Sequence, residues 1–331
     1  MSDSPEPGQI ISFYSYKGGV GRSMAVANVG FALSTWHKAA GKRVLLIDWD
    51  LEAPGLYAYL EEETRTNLRS AEGILDYFEA LRKGLNPSTY GRLLEERSTL
   101  EEIVPLSRYV VANIRDSLNL MTAGKHSPSY LKRVAEFDWA EFWDKYPAAV
   151  HAFRELLASR YTFVLVDSRT GYGDTAGLCS SVLPEKLVMV FSLNTQNLDS
   201  VTEIATRSVA FRTRSDDIRP LAVFPLASRI EIAQVRERDA WLRRFEHAFE
   251  ECFRKIYSAP ECDLTSYFEN IFVPEIHYFS YGEKLAVKVE DSRVGSLRRA
   301  YEDFARLLTE SDYPWQKTVS QIQASGPATA P

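Results

Sequence analysis

Residues 17–24 read Lys-Gly-Gly-Val-Gly-Arg-Ser-Met. They follow an apolar run, Ile10 to Ser15, and precede a helical pattern that opens at Ser23. Glycines at 18, 19 and 21 keep side chains out of the turn, so a bulky anion can approach the main chain. Successive N–H groups in such a turn form a concave nest, and the helix N-terminus adds donors and the positive end of a dipole. Ser23 stands where a hydroxyl can reach Mg2+. Lys17 and Arg22 bring positive charge to the same loop. These types and spacings suit the cradling of a polyphosphate, with Lys17, Gly18, Gly19, Val20, Gly21, Arg22, Ser23 and Met24 as the contacts. The dinucleotide fingerprint G-x-G-x-x-G is absent from this turn.

The common phosphate-loop pattern, G-x-x-x-x-G-K-S/T, fails here at two points: Tyr16 stands at the first glycine and Arg22 at the lysine. The string resembles instead the deviant Walker A motif KGGxGK(S/T) of the ParA/MinD ATPases, in the SIMIBI group of P-loop NTPases. Six of seven positions match, and the form is similar to a KGGVGR-motif variant. The resemblance spans about residues 10–290 and implies ATP and Mg2+ as ligands. In those relatives the lysine matching Lys17 reaches across a sandwich dimer to the partner's phosphates. An ATP-dependent homodimer that switches on hydrolysis is therefore implied.

The same resemblance assigns further residues. Asp48-Trp49-Asp50 is similar to a DxD motif, which implies Asp48 for Mg2+ and Asp50 for the attacking water; alternatively Asp50 only caps a turn. Val166 to Gly173 is similar to the Walker B and switch II segment. There Asp167 would serve Mg2+ through water, and Gly171 would offer an N–H near the γ-phosphate. Arg169, where the family often has proline, either touches phosphate or the partner subunit, or makes a loop salt bridge. The asparagine that relatives often carry after the sixth strand is absent, so adenine contacts are expected from the backbone of Phe224 and Pro225. Gly73 to Phe78 looks like a structural helical segment, and Val273 to Leu285 like a late loop near the adenine. Asp50, Lys17 and Arg22 are the implied catalytic residues. Arginine at position 22 keeps the charge and can bind phosphate bidentately, but it is planar and longer than lysine. Binding with slow hydrolysis is the expectation.

The elements that must position these residues are legible as alternating runs. Apolar segments at 10–15, 43–48, 118–122, 162–167, 186–191, 220–224 and 270–273 suit strands buried on both faces. Helical patterns fall at 23–39, 72–83, 129–159, 199–212, 234–257 and 294–310. Strands alternating with helices imply βαβ units. The expected fold is α/β: a doubly wound, mostly parallel sheet of the P-loop NTPase kind. One domain should cover 1–310, with helical insertions at about 57–117 and 126–160, the first without a strand. Residues 311–331 are small, polar and proline-bearing, and are expected to form a disordered tail.

Composition removes several classes. With 45% hydrophobic and 25% charged residues, the 331-residue chain is neither collagenous, coiled coil nor wholly disordered. The net charge of -6 argues against purely electrostatic nucleic-acid binding. Three cysteines in no ligand spacing suit a reducing compartment. The start MSDSPEPGQI is no secretory signal, and the longest apolar stretch, Leu187 to Phe191, is too short to span a membrane. A cytoplasmic protein is expected.

For partners, a second copy and a protein of unknown identity are expected, and no membrane. Trp139, Phe142, Trp143 and Tyr146 form either an interaction patch or core. A DNA-binding partition ATPase is one alternative, because residues 203–255 hold eleven Lys/Arg against nine Asp/Glu. A non-hydrolysing regulatory module is another. The tail has only Tyr313, against the tyrosine cluster of a bacterial autokinase, and lacks the basic amphipathic helix of a MinD-like membrane anchor.

Overall fold

A computed structural model of the chain describes residues 7–171, 177–215 and 219–317. The apolar runs assemble into one eight-stranded sheet: β1 Gln9–Tyr14, β2 Val44–Trp49, β3 Val111–Arg115, β4 Leu118–Met121, β5 Phe163–Ser168, β6 Lys186–Phe191, β7 Ala222–Ile230 and β8 Phe272–Pro274. The strand order is β3-β4-β2-β5-β1-β6-β7-β8. Every neighbouring pair is parallel except β3 with β4. The helices are α1 Arg22–Trp36, α2 Ile74–Gly84, α3 Pro87–Glu95, α4 Leu100–Ile103, α5 Tyr130–Glu136, α6 Trp139–Lys145, α7 Pro147–Arg160, α8 Thr195–Thr213, α9 Val235–Ile256, α10 Thr265–Asn270, α11 Ala286–Val289 and α12 Leu297–Glu310.

Successive strand residues feed two separate cores, one on each face. Val44 and Leu46 join Phe163, Leu165 and the buried stripes of α1, α8, α9 and α12. Leu45, Ile47 and Trp49 join Val164, Val166 and the aromatic faces of α2, α6 and α7. The period-four stripe of α9 is seated as its spacing requires. Phe245, Phe249 and Phe253 are fully buried, and Phe245 stacks on Phe191 at 4.3 Å. On the other face Trp139 and Phe142 are core residues, with Trp143 and Tyr146 packed against them.

Several expectations need correction. The segment 57–117 does contain a strand, β3, which closes one edge antiparallel to β4. Its mostly exposed pattern, with only Ile114 buried, hid it from a search for wholly apolar runs. The pattern at 129–159 is three helices. Asp138 caps α6 by accepting from the Glu141 N–H at 2.8 Å, and Pro147 opens α7 where no N–H is needed. Helix α8 starts at Thr195, because Asn194 caps it. Strand β7 does not stop at Phe224. Pro225 pairs in register with Met189 and lies before the first β7–β8 pair, Ala227 with Phe272, so no ladder bond is lost. The polar tail does not begin at 311 either. Tyr313 and Trp315 pack on Tyr257 of the α9 C-terminus, at 5.1 and 5.5 Å between ring centres. Residues 318–331 lie outside the described residues.

Lys186 fixes that C-terminal end. Its Nζ is buried and donates to the carbonyls of Leu308 and Ser311 at 2.6 and 2.9 Å. These are end-of-helix carbonyls of α12, which need donors. Burial lowers the Lys186 pKa to about 8. Between that value and the unfolded one, the unfolded chain binds the extra proton, so raising pH favours the fold. We expect wild-type stability, measured by urea unfolding, to rise relative to Lys186→Met by up to about 2 kcal/mol between pH 8 and 9.5.

Candidate functional site

The glycine turn lies at the carboxyl end of β1, the sheet position where doubly wound folds bind ligands. Gly19 and Gly21 take positive φ values of 73° and 84°, a region L side chains rarely adopt. A Cβ on Gly21 would also meet Ser228 Oγ at 3.2 Å. Gly18 and Gly19 are exposed, while Val20 tucks its side chain into the core and pins the turn. No side chain caps α1, so its first N–H groups are left for a ligand. Gly30 lets α1 sit tightly on the sheet, since a Cβ there would meet Leu46 Cδ2 at 2.4 Å. Ser23 and Met24 are half-buried beside the turn. Lys17 is half-buried and makes no ion pair with the described residues.

Three carboxylates approach this turn from neighbouring strands. Asp48 and Asp167 are register partners across β2 and β5. Both share the parity of the residues that face α1, so the sheet aims them at the loop. Asp48 Oδ2 accepts from Leu56 N at 3.1 Å and Oδ1 from Asp50 N at 3.3 Å. Burial, and then the charge of Asp167, hold its carboxyl well above the usual range. Burial also raises Asp167, opposed by Arg22 and by the nearby Ser23 hydroxyl. Asp167 Oδ2 is buried with no hydrogen-bond partner.

Arg22 does not lie along the glycine turn as its position in the motif implied. Its guanidinium spans the strand ends. Nε donates to Asp167 Oδ1 at 2.5 Å, Nη2 to Asp50 Oδ2 at 2.7 Å and Nη1 to Ser15 Oγ at 3.1 Å. Burial alone would lower its pKa, but Asp167 and Asp50 more than offset that. In this conformation its donors are directed to strand-end acceptors.

Beside Gly21 and Met24 a cavity of about 200 Å³ opens, walled by Tyr59, Ser228, Arg229, Glu275, Glu283 and Tyr301. Tyr301 is fully buried and its hydroxyl has no hydrogen-bond partner. The late loop, Pro274 to Ile276 and Gly282 to Glu283, thus lines the same cavity as Gly21 and Met24 of the glycine turn. Phe224 and Pro225 do not. Both are buried mid-strand, and the Pro225 carbonyl is taken by the Tyr267 hydroxyl. Sequence reasoning ended the strand at that proline, and so missed Ser228 and Arg229 at its true end. Gly171 lies in the loop after β5, its carbonyl accepting from Tyr14 OH at 3.1 Å. Arg169 pairs with Glu52 at 3.0 Å, the loop salt bridge among its expected roles. Tyr172 and Gly173 fall outside the described residues. A larger cavity, about 620 Å³, lies at the opposite, amino-terminal edge of the sheet between Gly8, Arg43, Thr162, Glu185 and Arg219. None of the motif residues reaches it.

The comparisons agree with this fold. Residues 11–122 match the CobQ/CobB/MinD/ParA nucleotide binding domain. Among solved structures, the septum site-determining protein MinD of Pyrococcus horikoshii OT3, complexed with Mg-ADP, aligns over 92% of this chain and 96% of its own, at 16% identity and TM-score 0.56. A putative plasmid partition protein of Borrelia burgdorferi B31, bound to AMPPNP, aligns over 97% and 99%, at 14% identity and TM-score 0.56. The MinD cell division protein of Aquifex aeolicus aligns over 92% and 98%, at 22% identity and TM-score 0.54. This is a ParA/MinD-type P-loop ATPase fold. No curated protein matches the sequence.

Within that fold the unusual feature is the buried Arg22 cluster. Removing Asp167 strips the buried Arg22 of the closer of its two carboxylate partners and leaves Asp50 alone to balance it. Asp167→Ala should lower the unfolding free energy by about 3 to 5 kcal/mol in chemical denaturation.

Proposed function

We propose that the protein is a cytoplasmic ATP-binding switch that closes as a homodimer over Mg2+·ATP, hydrolyses it slowly, and controls the docking of a protein partner. The observation that carries this reading is the glycine nest at the uncapped start of α1, with Lys17 half-buried beside it and in no ion pair among the described residues. The main chain from Gly18 to Met24 would hold the phosphates. The cavity beside Gly21 suits the nucleoside, and the Tyr301 hydroxyl offers it a buried donor. Lys17 is a cation available to a second copy, so nucleotide binding and dimerisation become one linked equilibrium.

The donors present fit a hard divalent cation. They are all oxygens, from Ser23, Asp48 and Asp167, and Asp167 Oδ2 is an orphaned buried acceptor. Among the described residues no three His, Cys, Asp or Glu side chains form a cage. That suits Mg2+, which keeps waters and leans on substrate phosphates. The chemistry such an ion would supply is neutralisation of phosphate charge. Ser23 would reach the ion directly, with Asp48 and Asp167 holding its waters. Asp50 would orient the attacking water once its oxygens are available.

The non-hydrolysing alternative is favoured by one observation, the engagement of Asp50 by Arg22. The DNA-binding alternative is weakened. Arg207, Arg238, Arg254 and Lys255 are paired with acidic neighbours, and Arg212 is buried among backbone carbonyls. Among the described residues no helix is long and apolar enough to cross a membrane.

Calorimetry with Mg2+ and ATP or ADP should show saturable binding. In sedimentation with AMPPNP the wild type should dimerise, while Lys17→Glu should stay monomeric and still bind ADP. Asp50→Ala should abolish phosphate release while keeping ATP binding. Absence of heat with any adenine nucleotide would sink the proposal.

A further inference from the structure

Arg22 occupies the motif position of a phosphate-binding cation, yet its three nitrogens are engaged elsewhere. They meet Asp167 at 2.5 Å, Asp50 at 2.7 Å and Ser15 at 3.1 Å, and the residue is only 6% exposed. The three acceptors come from the ends of three adjacent strands, β1, β2 and β5. A lysine ammonium is one point on a flexible stem and has no fixed fork with which to hold all three, whereas a planar guanidinium has donors on separate arms. The contact thus uses what distinguishes arginine from the usual lysine. Its two charged acceptors are those assigned above to the metal's waters and to the attacking water. Buried carboxylates at this site require a positive charge from some source.

We propose that Arg22 is a displaceable counter-ion that stands in for the divalent cation. It neutralises Asp50 and Asp167 in the nucleotide-free protein and leaves them when Mg2+·nucleotide enters, so it sets how strongly nucleotide binding depends on Mg2+. This deepens the nucleotide reading and rests on it. Phosphate oxygens accept the same forked hydrogen bonds as a carboxylate, so Arg22 exchanges one set of anionic partners for another. Asp50 is released by that exchange. The availability of the water-positioning carboxylate is thereby coupled to ligand binding, as a two-position element biased by the ligand.

The test uses the full chain as wild type, Arg22→Lys and Arg22→Gln. Thermal unfolding is recorded in EDTA and in Mg2+ without nucleotide, and ADP affinity is measured calorimetrically in the same buffers. Mg2+ alone should leave the wild-type Tm in place. It should raise that of Arg22→Gln, which melts lower in EDTA, by about 3 °C or more. Mg2+ should tighten ADP binding by less than about threefold in the wild type and by about tenfold or more in Arg22→Lys, the worth of one charge-assisted hydrogen bond. Equal Mg2+ responses of wild type and Arg22→Lys in ADP binding would overturn the proposal. That comparison decides alone if Arg22→Gln does not fold. If none of the three proteins binds ADP, the nucleotide reading fails. The melting curves then judge Arg22: a Mg2+ shift confined to Arg22→Gln upholds the counter-ion, and equal shifts overturn it.

Discussion

Negative charge gathered at the ends of β2 and β5 is the constraint on which the site depends. The parallel register places Asp48 opposite Asp167, and Asp50 follows within the same turn. Carboxylates taken out of water this completely must be neutralised by protonation or by a cation. The protein uses both. Asp48 is pushed toward its neutral form and receives two backbone N–H groups, while Arg22 compensates Asp50 and Asp167. The arrangement also orders the first turn of α1, because the residue that begins the helix is tied to two other strand ends. The glycine turn is thus preorganised by a salt-bridged cluster beneath it.

Much of this was legible because it follows from local rules. Seven of the eight strands were visible as apolar runs, and the sheet's parallel character followed from the helices between them. The glycine turn was legible in residue types alone, since positive φ selects glycine at 19 and 21. The features that escaped depend on what lies far away in sequence. Strand β3 is mostly exposed, so only its pairing with β4 reveals it. Pro225 reads as a strand end until one sees that β8 joins later. The Arg22 contacts involve residues 7, 28 and 145 positions away, and no pattern within the motif announces them. The pocket residues Tyr59, Arg229, Glu275 and Tyr301 come from four separate segments and carry no shared signature.

The two cores give the site its surroundings. On the α1 face, α11 itself is tied to α1 by Asn28, whose Oδ1 accepts from Val287 N at 3.1 Å. That bond anchors the end of the late loop against the helix that begins at the glycine turn. On the opposite face, α5 and α6 stand over the outward side of β2, with Tyr130 OH donating to the Leu51 carbonyl just past Asp50. Asp76 fastens the same region, accepting from Gly73 N, from Lys125 N and from Arg133. The insertion is thus hydrogen-bonded to the loop that carries Asp50.

A link of that kind gives the substitution of arginine for lysine its consequence. A lysine at position 22 would leave the strand-end carboxylates held by a single point contact. The arginine locks β2 and β5 together through one rigid plane, so any ligand that draws it away changes the support of both loops at once. Asp50 sits on the loop bonded to α5, and Asp167 on the strand leading into Gly171, which is bonded in turn to Tyr14 of β1. Release of one guanidinium would therefore remove a support shared by the Asp50 loop and the end of β5. A partner that rests on both would sense a single charge exchange buried beneath them, and that coupling is what a nucleotide-controlled docking surface requires.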